Sequence, residues 1–386
     1  MKHKIAFFVI NHTSIGGVER VNSGIISLFL KNELNVHSLI SFAKKNVENT
    51  AISYPKELKF HSVNKDSLTI DLANYINTHR ITHLIFQGDN MTISQDILNA
   101  LKQTNCKGFL HYHGSPYAYL QKNYYWSDII EKPITALKIL AAKIVYPIKK
   151  NKLKRIINES SDGFVAVSNG VKKELNTIFK TNFNNVVSIH SPTSFNPKLT
   201  VDINQKEKNI VFTSRLVRKH KNAFLTLKVW KLLHEKYPDW KLQILGYGVI
   251  LDQMNSYIKS HNLTNVKIFG YVNNIDDFLR KSAISMVTSD TEGFSMFAYE
   301  SLVFKNPIVS TESYGGIWDM IKHDYNGLFS PRNDAEKMAS NLELLMNDND
   351  LRVEMGQHSY EKFLELQQED IFKQWQTLLK LNDKLS

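Results

Sequence analysis

Residues 284–300 read Ile284-Ser-Met-Val-Thr-Ser-Asp-Thr-Glu-Gly-Phe-Ser-Met-Phe-Ala-Tyr-Glu300. The apolar run Ile284–Thr288 predicts a buried strand, and the residues after it predict a turn that opens a helix. The same order of strand, turn and helix recurs along the chain. This alternation predicts parallel sheets that are covered by helices on both faces.

A polar stretch, Asn196–Asn209, divides the pattern into two halves and predicts an interdomain linker. Before it, the predicted strands are Ile5–Ile10, Val36–Phe42, Leu58–Val63, His83–Gln87, Gly108–Tyr112 and Gly163–Val167. After it, they are Ile210–Ser214, Trp240–Leu245, Val266–Phe269, Ile284–Thr288 and Pro307–Ser310. A predicted helical tail covers Ala335–Met346, Asp350–Met355 and Tyr360–Leu381. We therefore expect an α/β fold with two Rossmann-like, doubly wound domains.

The composition is that of a globular chain with an anionic partner. The 386 residues suit two domains, and the formal net charge of +11 predicts contact with substrate phosphates, an acidic membrane surface or nucleic acid. No apolar stretch approaches the ~18 residues of a membrane span. The N-terminal apolar run is too short for a signal peptide, so we expect a cytoplasmic protein.

Open α/β sheets bind ligands at the carboxyl ends of their strands, so the residues that follow each strand are the candidates. In the first half these are Gly16-Gly17, which open a helix, and His113. The glycines fit either a phosphate at a helix N-terminus or a plain turn. His113 fits either a ligand contact or a capping histidine.

In the second half, cations follow the strand Ile210–Ser214, from Arg215 to Lys221. They predict either a phosphate clamp or an ordinary solvated charge run. Gly246, and the pair Tyr271-Val272, follow the next two strands and could admit a nucleoside, although such turns commonly need glycine for their own geometry.

Glu292 and Glu300 are the most informative side chains. Glu300 lies about two helical turns after Glu292, so both carboxylates can face one ligand. A carboxylate can accept two hydrogen bonds from vicinal hydroxyls, and amides near Ser295 can hold an anion. The alternative is a Glu292 that compensates the helix dipole and a Glu300 on the surface.

These motifs resemble those of one enzyme family, in that family's order. Glu292–Glu300 is similar to the E-x7-E motif of retaining GT-B glycosyltransferases, in particular glycosyltransferase family four. The other matching segments are Gly16–Arg20, His113-Gly114, Phe164–Ser168, Ser214–Lys221, Gly315-Gly316 before Trp318–Ile321, and Asn326–Leu328. The clamp departs from the family pattern. Ser214 replaces glycine, His220 stands at the usual lysine position, and the lysine follows at Lys221, with Lys219 as an alternative.

The resemblance implies a GT-B fold with a cleft between its domains. It implies an acceptor-binding domain over 1–195, a linker over 196–209, a nucleotide-sugar-binding domain over 210–365, and a C-terminal helix over 366–386 that packs back on the first domain. The implied reaction moves a hexose or N-acetylhexosamine from a nucleotide sugar to a glycan or lipid-linked acceptor. Family frequency favours UDP, and the implied pathway makes surface polysaccharide or lipopolysaccharide.

The resemblance also implies roles for individual residues. Glu300 would hold the ribose hydroxyls, and Glu292 would contact the donor sugar and phosphate. Arg215 and Lys221 would neutralise the diphosphate without a metal or resident cofactor, and His113 would reach the donor sugar. Further donor contacts would come from Gly16, Gly17, Gly246, Tyr271, Val272, Phe294, Ser295 and Met296. The anomeric configuration would be retained by front-face attack within an ion pair.

The segment Lys138–Arg155 mixes cationic and apolar residues, with Tyr124, Tyr125 and Trp126 upstream. It predicts either docking on anionic lipid or a helix with a solvated face, and Pro147 predicts an interruption. Two other functions remain open. One is a sugar-nucleotide epimerase of the same fold. The other is a basic protein that binds nucleic acid, although no nucleic-acid-binding signature is present.

Overall fold

The computed structural model describes residues 3–13, 16–43, 54–120, 134–192, 201–368 and 370–381. The chain divides into two units. The described residues up to 192, joined by 370–381, form the first unit, and residues 201–368 form the second. Tyr124, Tyr125 and Trp126, singled out in the sequence, lie outside the described residues.

Parallel strands with apolar side chains form the centre of the first unit. Those among its described residues are β1 Ile5–Phe8, β2 Val36–Ser41, β3 Lys59–Ser62, β4 His83–Gln87, β5 Lys107–Tyr112, β6 Gly163–Ala166 and β7 Val186–Ser188. They pair in parallel in the order β3-β2-β1-β4-β5-β6-β7. The helices among its described residues are Gly17–Lys31, Leu68–His79, Met91–Leu101, Pro116–Leu120, Ile134–Glu159, Asn169–Phe179 and Ile371–Leu378.

The second unit repeats this architecture. Its main strands are β8 Glu207–Thr213, β9 Lys241–Leu245, β10 Val266–Gly270, β11 Ser282–Val287, β13 Ile308–Thr311 and β15 Gly327–Ser330, and a two-residue pair is formed by β12 Thr291–Glu292 and β14 Tyr314–Gly315. The main sheet has the order β10-β9-β8-β11-β13-β15. A short 3-10 turn, Ile203–Gln205, precedes it. The helices are Phe224–Lys231, Leu251–Ser260, Ile275–Lys281, Met296–Val303, Ile317–Met320, Ala335–Asn347 and Asn349–Gln368.

Local sequence signals explain why these elements form. All four residues of β1 are buried, as expected for a strand covered on both faces. The Ser168 hydroxyl accepts a hydrogen bond from the Val171 amide at 3.1 Å and caps the following helix. The C-terminal helix Ile371–Leu378 packs on the first unit, where Trp375 is buried against Phe29.

Several predicted boundaries were wrong. The polar run that was assigned to the linker joins the second sheet, because β8 begins at Glu207. Lys206, just before it, is partly buried and donates to the Leu279 and Ser282 carbonyl oxygens. The helix Ile134–Glu159 continues through Pro147, and the helix Asn349–Gln368 runs through the predicted break at residues 356–359.

Within the described residues, none of the helices combines the length and the apolar character that a membrane span requires.

Candidate active site

A loop rich in cations follows β8 and contacts the turn that follows β11. The Asp290 amide donates to the His220 carbonyl oxygen at 2.7 Å. The Thr288 hydroxyl donates to the Lys221 carbonyl oxygen at 3.0 Å. These hydrogen bonds hold the loop 214–223 against the first carboxylate of the Glu292–Glu300 motif.

Lys221 and Glu292 form an ion pair at this contact. The ammonium of Lys221 lies 2.7 and 2.9 Å from the two carboxylate oxygens of Glu292. Glu292 is only 7% exposed, and the Ser289 hydroxyl donates a further hydrogen bond to it at 2.5 Å. An ammonium has three donors, so one N–H of Lys221 is left for an incoming oxygen anion. The sequence placed both residues near a donor but did not predict that they pair.

The backbone of Glu292 is held from the opposite side by the glycine pair Gly315-Gly316. The Gly316 amide donates to the Glu292 carbonyl oxygen at 2.7 Å, and β12 pairs with β14. The guanidinium of Arg332 stacks on the Tyr314 ring at 3.8 Å and donates to its hydroxyl at 2.8 Å. Sequence reasoning assigned Arg332 no role, because it lies 40 residues from Glu292 in the chain and in no motif.

The second carboxylate lies on the helix Met296–Val303. Ser295 caps this helix by accepting a hydrogen bond from the Ala298 amide at 3.4 Å, and Met296 is partly buried. Glu300 is only 1% exposed, so the alternative of a surface Glu300 is wrong. Phe294 packs against Tyr299, with ring centroids 5.2 Å apart, and this contact supports the turn from inside. A carboxylate is rarely buried in an apolar helix unless polar groups require it there.

The cations of the loop act on one another. Burial and the neighbouring Lys221, Lys219 and Arg215 lower the pKa of His220 below its ordinary value. Arg215 is exposed and makes no ion pair with any described residue. The loop therefore offers a positive field at the strand end, and an anion there would be favoured.

In the turn after β9, the packing of the chain itself requires a glycine. A Cβ on Gly246 would lie 1.9 Å from the Ser214 carbonyl oxygen, so the chain's own packing requires this glycine, which also has φ of +140°. This supports the alternative that the turn needs glycine for its own geometry, and the contact of Gly246 with a nucleoside stays a prediction. Tyr271 is half-exposed beside Tyr247, with ring centroids 6.4 Å apart, and Val272 is partly buried.

The remaining predicted site residues lie in the first unit. Gly16 directly precedes the helix Gly17–Lys31, and a Cβ on it would lie 2.5 Å from a carboxylate oxygen of Glu19. A Cβ on Gly17 would have no neighbour within 4 Å, so packing does not require this glycine. An open glycine at a helix N-terminus fits close approach by a ligand.

His113 follows β5 and is tied down by its backbone. Its amide donates to Asp89 at 3.0 Å, and its ring lies against that of His111, with centroids 4.1 Å apart. Burial lowers the pKa of His113, and the nearby Asp89 opposes this only in part, so the neutral imidazole is favoured. Its Nε2 atom is buried and has no hydrogen-bond partner among the described residues. The capping alternative is not supported, because Ser115 begins the helix Pro116–Leu120 by accepting from the Tyr119 amide at 3.3 Å.

Residues 199–362 match the family described as glycosyl transferases group 1. The second unit therefore carries a group 1 glycosyltransferase domain. An uncharacterized glycosyltransferase of Haemophilus influenzae is 25% identical to it over 97% of this chain and 99% of that protein.

A second relative is the N-acetylgalactosamine-N,N'-diacetylbacillosaminyl-diphospho-undecaprenol 4-alpha-N-acetylgalactosaminyltransferase of Campylobacter jejuni. It is 32% identical over 40% of this chain and 42% of that protein. Among solved structures, a variant of S. aureus TarM in complex with Fondaparinux, alpha-GlcNAc-glycerol and UDP has a TM-score of 0.75. It is 15% identical and covers 98% of this chain and 99% of that chain. At this identity the likeness concerns the fold, and it confirms the predicted GT-B class of two parallel-sheet α/β domains.

The predicted site residues form two groups in the structure. Lys221, Glu292 and the helix carrying Glu300 are brought together in the second unit, where the exposed Arg215 belongs to the same loop as Lys221. His113 and Gly17 belong to the first unit. Among the described residues, no three His, Cys, Asp or Glu side chains gather in a way that could hold a metal ion.

Proposed function

We propose that this protein is a retaining glycosyltransferase that uses a UDP-sugar. It moves a hexose or N-acetylhexosamine to a glycan or lipid-linked acceptor, in the synthesis of a surface polysaccharide or lipopolysaccharide at the cytoplasmic face of the membrane. The observation that carries the proposal is the contact of the cationic loop 214–223 with the turn of Glu292, next to the helix that buries Glu300.

This arrangement supplies what departure of a nucleoside diphosphate requires. Negative charge develops on the leaving phosphate, and Arg215 with Lys221 provides cations for it. Glu292 holds the Lys221 ammonium in place by two hydrogen bonds, so its position is set before the donor arrives. Because these side chains supply the charge, we propose that no divalent cation is needed.

Glu300 suits the nucleoside end of the donor. Its carboxylate can accept hydrogen bonds from both hydroxyls of a ribose. The half-exposed Tyr271 stands at the end of β10, two strands from β8, and can contact the base. UDP is proposed because the TarM structure contains UDP.

The role of Asp89 in the first unit decides which of the two routes to retention we propose. A covalent intermediate needs a carboxylate nucleophile, and Asp89 was the one candidate found at a strand end in this half of the sequence. Asp89 accepts hydrogen bonds from the His113 amide at 3.0 Å and from Gln87 at 3.4 Å, so it serves the backbone of this turn. Front-face attack, with neutral His113 bonded to a sugar hydroxyl, is therefore the proposed route.

A lipid-linked acceptor is proposed from the Campylobacter jejuni relative, whose name specifies a diphospho-undecaprenol substrate. A polyol-linked acceptor would fit the alpha-GlcNAc-glycerol in the TarM structure.

The test is a panel of nucleotide sugars offered to the purified protein, with and without EDTA. We expect slow hydrolysis of one UDP-sugar, which EDTA does not abolish, with the released sugar first seen by NMR in the donor's anomeric configuration. Release of an epimerised sugar, or turnover of no nucleotide sugar, would contradict the proposal.

A further inference from the structure

A tryptophan of the second unit lies at the surface with one face of its ring uncovered. Trp318 is 51% exposed, although tryptophan is on average a highly buried residue. Its indole ring stacks on the Phe329 ring, with centroids 4.2 Å apart and planes inclined by 30°. Phe329 is only 6% exposed and supports the indole from below. The exposed area of Trp318 therefore belongs to its opposite face and its edges.

Hydrogen bonds fix the orientation of this indole. Its N–H donates to the Ser313 carbonyl oxygen at 3.0 Å. Its support is fixed as well, because the Phe329 amide donates to Nδ1 of His323 at 3.0 Å. A ring that is bonded at its N–H and stacked from below presents a rigid, flat apolar face, which a ligand can cover at little cost in side-chain entropy. We call the exposed face of Trp318, with Phe329 beneath it, the tryptophan platform.

The tryptophan platform is connected to the turn that carries Glu292. The Ser313 hydroxyl donates to the Ser289 carbonyl oxygen, and the Ser289 hydroxyl donates to the Glu292 carboxylate at 2.5 Å. The Gly316 amide donates to the Glu292 carbonyl oxygen at 2.7 Å. Trp318 follows Gly316 by two residues, so their Cα atoms are at most ~7 Å apart. The platform therefore borders the place proposed for the donor sugar.

The order of the strands shows on which side of that place the platform lies. In the order β10-β9-β8-β11-β13-β15, Tyr271 follows β10, the cationic loop follows β8 and Glu292 follows β11. Trp318 comes after β13 and β14, and Phe329 lies on β15, at the other edge of the sheet from Tyr271. A donor with its base at Tyr271 and its diphosphate at the cationic loop therefore leaves the platform beyond its sugar, on the side opposite to the base.

The surroundings of the platform select what covers it. Glu312, directly before Ser313, and His323, next to Phe329, are both exposed. A flat apolar face with hydrogen-bonding groups at its rim matches a pyranose ring, which has a face of C–H groups and a rim of hydroxyls. A protein partner matches less well, because it needs a contiguous apolar patch. The other large exposed apolar side chains described in this unit follow β9 and β10 or lie on or next to helices.

We propose that the tryptophan platform binds a sugar ring of the acceptor glycan by stacking, with Glu312 and His323 at the edge of that ring to meet its hydroxyls. This inference rests on the proposed transfer to a glycan acceptor. It adds an acceptor contact in the second unit, to which the sequence resemblance assigned only the donor. Trp318 should therefore determine how tightly the acceptor binds and leave UDP binding unchanged.

The test uses the methyl α-glycosides of glucose, galactose, N-acetylglucosamine and N-acetylgalactosamine as acceptor probes. With the nucleotide sugar that the protein hydrolyses, we expect at least one probe to accelerate UDP release. Trp318→Ala should raise the probe concentration for half-maximal acceleration about 3- to 10-fold, the scale of one aromatic contact, with UDP affinity in calorimetry unchanged. Trp318→Phe loses the hydrogen bond to Ser313 but keeps a flat face, so it should retain most of the probe binding. The matched control is Leu344→Ala, because Leu344 is 49% exposed on the helix Ala335–Asn347 of the same unit.

A second measurement of probe binding does not depend on turnover. Of the tryptophans that the structure describes, Trp318 is the exposed one, because Trp230, Trp240 and Trp375 are at most 2% exposed. Acrylamide in solution should therefore quench the fluorescence of Trp318 far more than that of these three. A bound probe should protect the wild type from this quenching. The protection should be absent in Trp318→Phe, although that variant still binds the probe.

The outcomes separate this inference from the proposed function. If no nucleotide sugar is hydrolysed but a probe protects Trp318, the proposed transfer fails and sugar binding at the platform is supported. If no probe accelerates UDP release or protects Trp318, or if Trp318→Ala responds to the probes as the wild type does, the inference is overturned. An equal defect in Trp318→Phe would reduce the role of the ring to its bond with Ser313. Weaker UDP binding by Trp318→Ala would assign the face to the donor, and a changed oligomeric state in ultracentrifugation would assign it to a second copy of the chain; each of these also overturns the inference.

Discussion

The Lys221–Glu292 ion pair allows two roles of Lys221 to be measured separately: stabilising the fold and binding the donor. The Glu292 carboxylate is only 7% exposed. Replacing Lys221 by Met would leave it with the hydrogen bond from the Ser289 hydroxyl but without its ammonium partner. Removing one partner of a buried, charged hydrogen-bonded pair costs about 2–4 kcal/mol. For a unit of this size, that lowers the melting temperature by about 5–15 °C.

The double variant Lys221→Met with Glu292→Gln should recover most of this stability. The glutamine amide needs no counter-charge, and its oxygen can still accept from Ser289. Donor binding should not recover with it, because the diphosphate has lost the ammonium in both variants. We expect UDP affinity to fall by roughly 10- to 100-fold in the single and the double variant alike, the scale of one charged hydrogen bond.

The assay combines calorimetric titration with UDP and thermal unfolding of the second unit. Lys362→Met is the matched control, since Lys362 forms an ion pair with Glu365 at 3.0 Å on the surface of the same unit. It should change stability by less than about 1 kcal/mol, and UDP affinity should be unchanged. If the double variant bound UDP as tightly as the wild type, Lys221 would serve Glu292 alone, and its assignment to the donor would be refuted.

Three further predictions concern the first unit. Gly17→Ala should leave the melting temperature unchanged or raised, because the added Cβ has no neighbour within 4 Å. The same substitution should lower turnover at least about ten-fold, because the added methyl group blocks a ligand's approach. Normal kinetics would assign Gly17 to the turn alone. His113→Ala should lower kcat by about 10²- to 10³-fold with UDP affinity nearly unchanged, and an unaltered kcat or a trapped glycosyl–protein adduct would oppose the proposed route. Burial lowers the pKa of His83 to about 4. The unfolded chain, in which the pKa of this histidine is about 6.5, therefore binds the proton more readily than the folded chain does. The free energy of unfolding that is present above pH ~6.5 is thus partly lost as the pH falls toward 4. Urea unfolding should show a loss of about 1 kcal/mol from this residue at pH 5.5, which His83→Gln should remove, and an unchanged slope in that variant would exclude His83 as the source.

The sequence predicted the parts of the fold that depend on local pattern. The two sheets followed from apolar runs such as β1, and the helix Asn169–Phe179 followed from its Ser168 cap. β12 and β14 were not predicted, because a two-residue pairing leaves no periodicity to detect. The continuous helix through Pro147 was not predicted, because proline removes one backbone hydrogen bond of a helix. In the structure, the packing of Leu153 and its neighbours in the core outweighs that local loss.

In the candidate site, too, the sequence predicted the positions that depend on local pattern but not the contacts between distant segments. Glu292, Glu300, Arg215 and Lys221 were identified because they follow strands or lie on one helix. Their mutual contacts were not, because Lys221 and Glu292 are 71 residues apart and their pairing depends on how two loops fold over neighbouring strands. The sequence also left the reason for Gly246 open, because a close approach of backbone to backbone has the same sequence signature as a close approach of ligand to backbone.

The central claim is that the second unit binds a nucleotide sugar through Glu300, and the most direct measurement is calorimetric titration of UDP and of its 2′-deoxyribose analogue. The wild type should bind UDP more tightly than the analogue. Glu300→Ala should bind UDP about 30- to 1000-fold more weakly, corresponding to about 2–4 kcal/mol, and should no longer distinguish the two ligands. Glu336→Gln, which removes an exposed carboxylate from another helix of the same unit, should bind both as the wild type does. A folded Glu300→Ala protein with unchanged affinity for UDP would contradict the account.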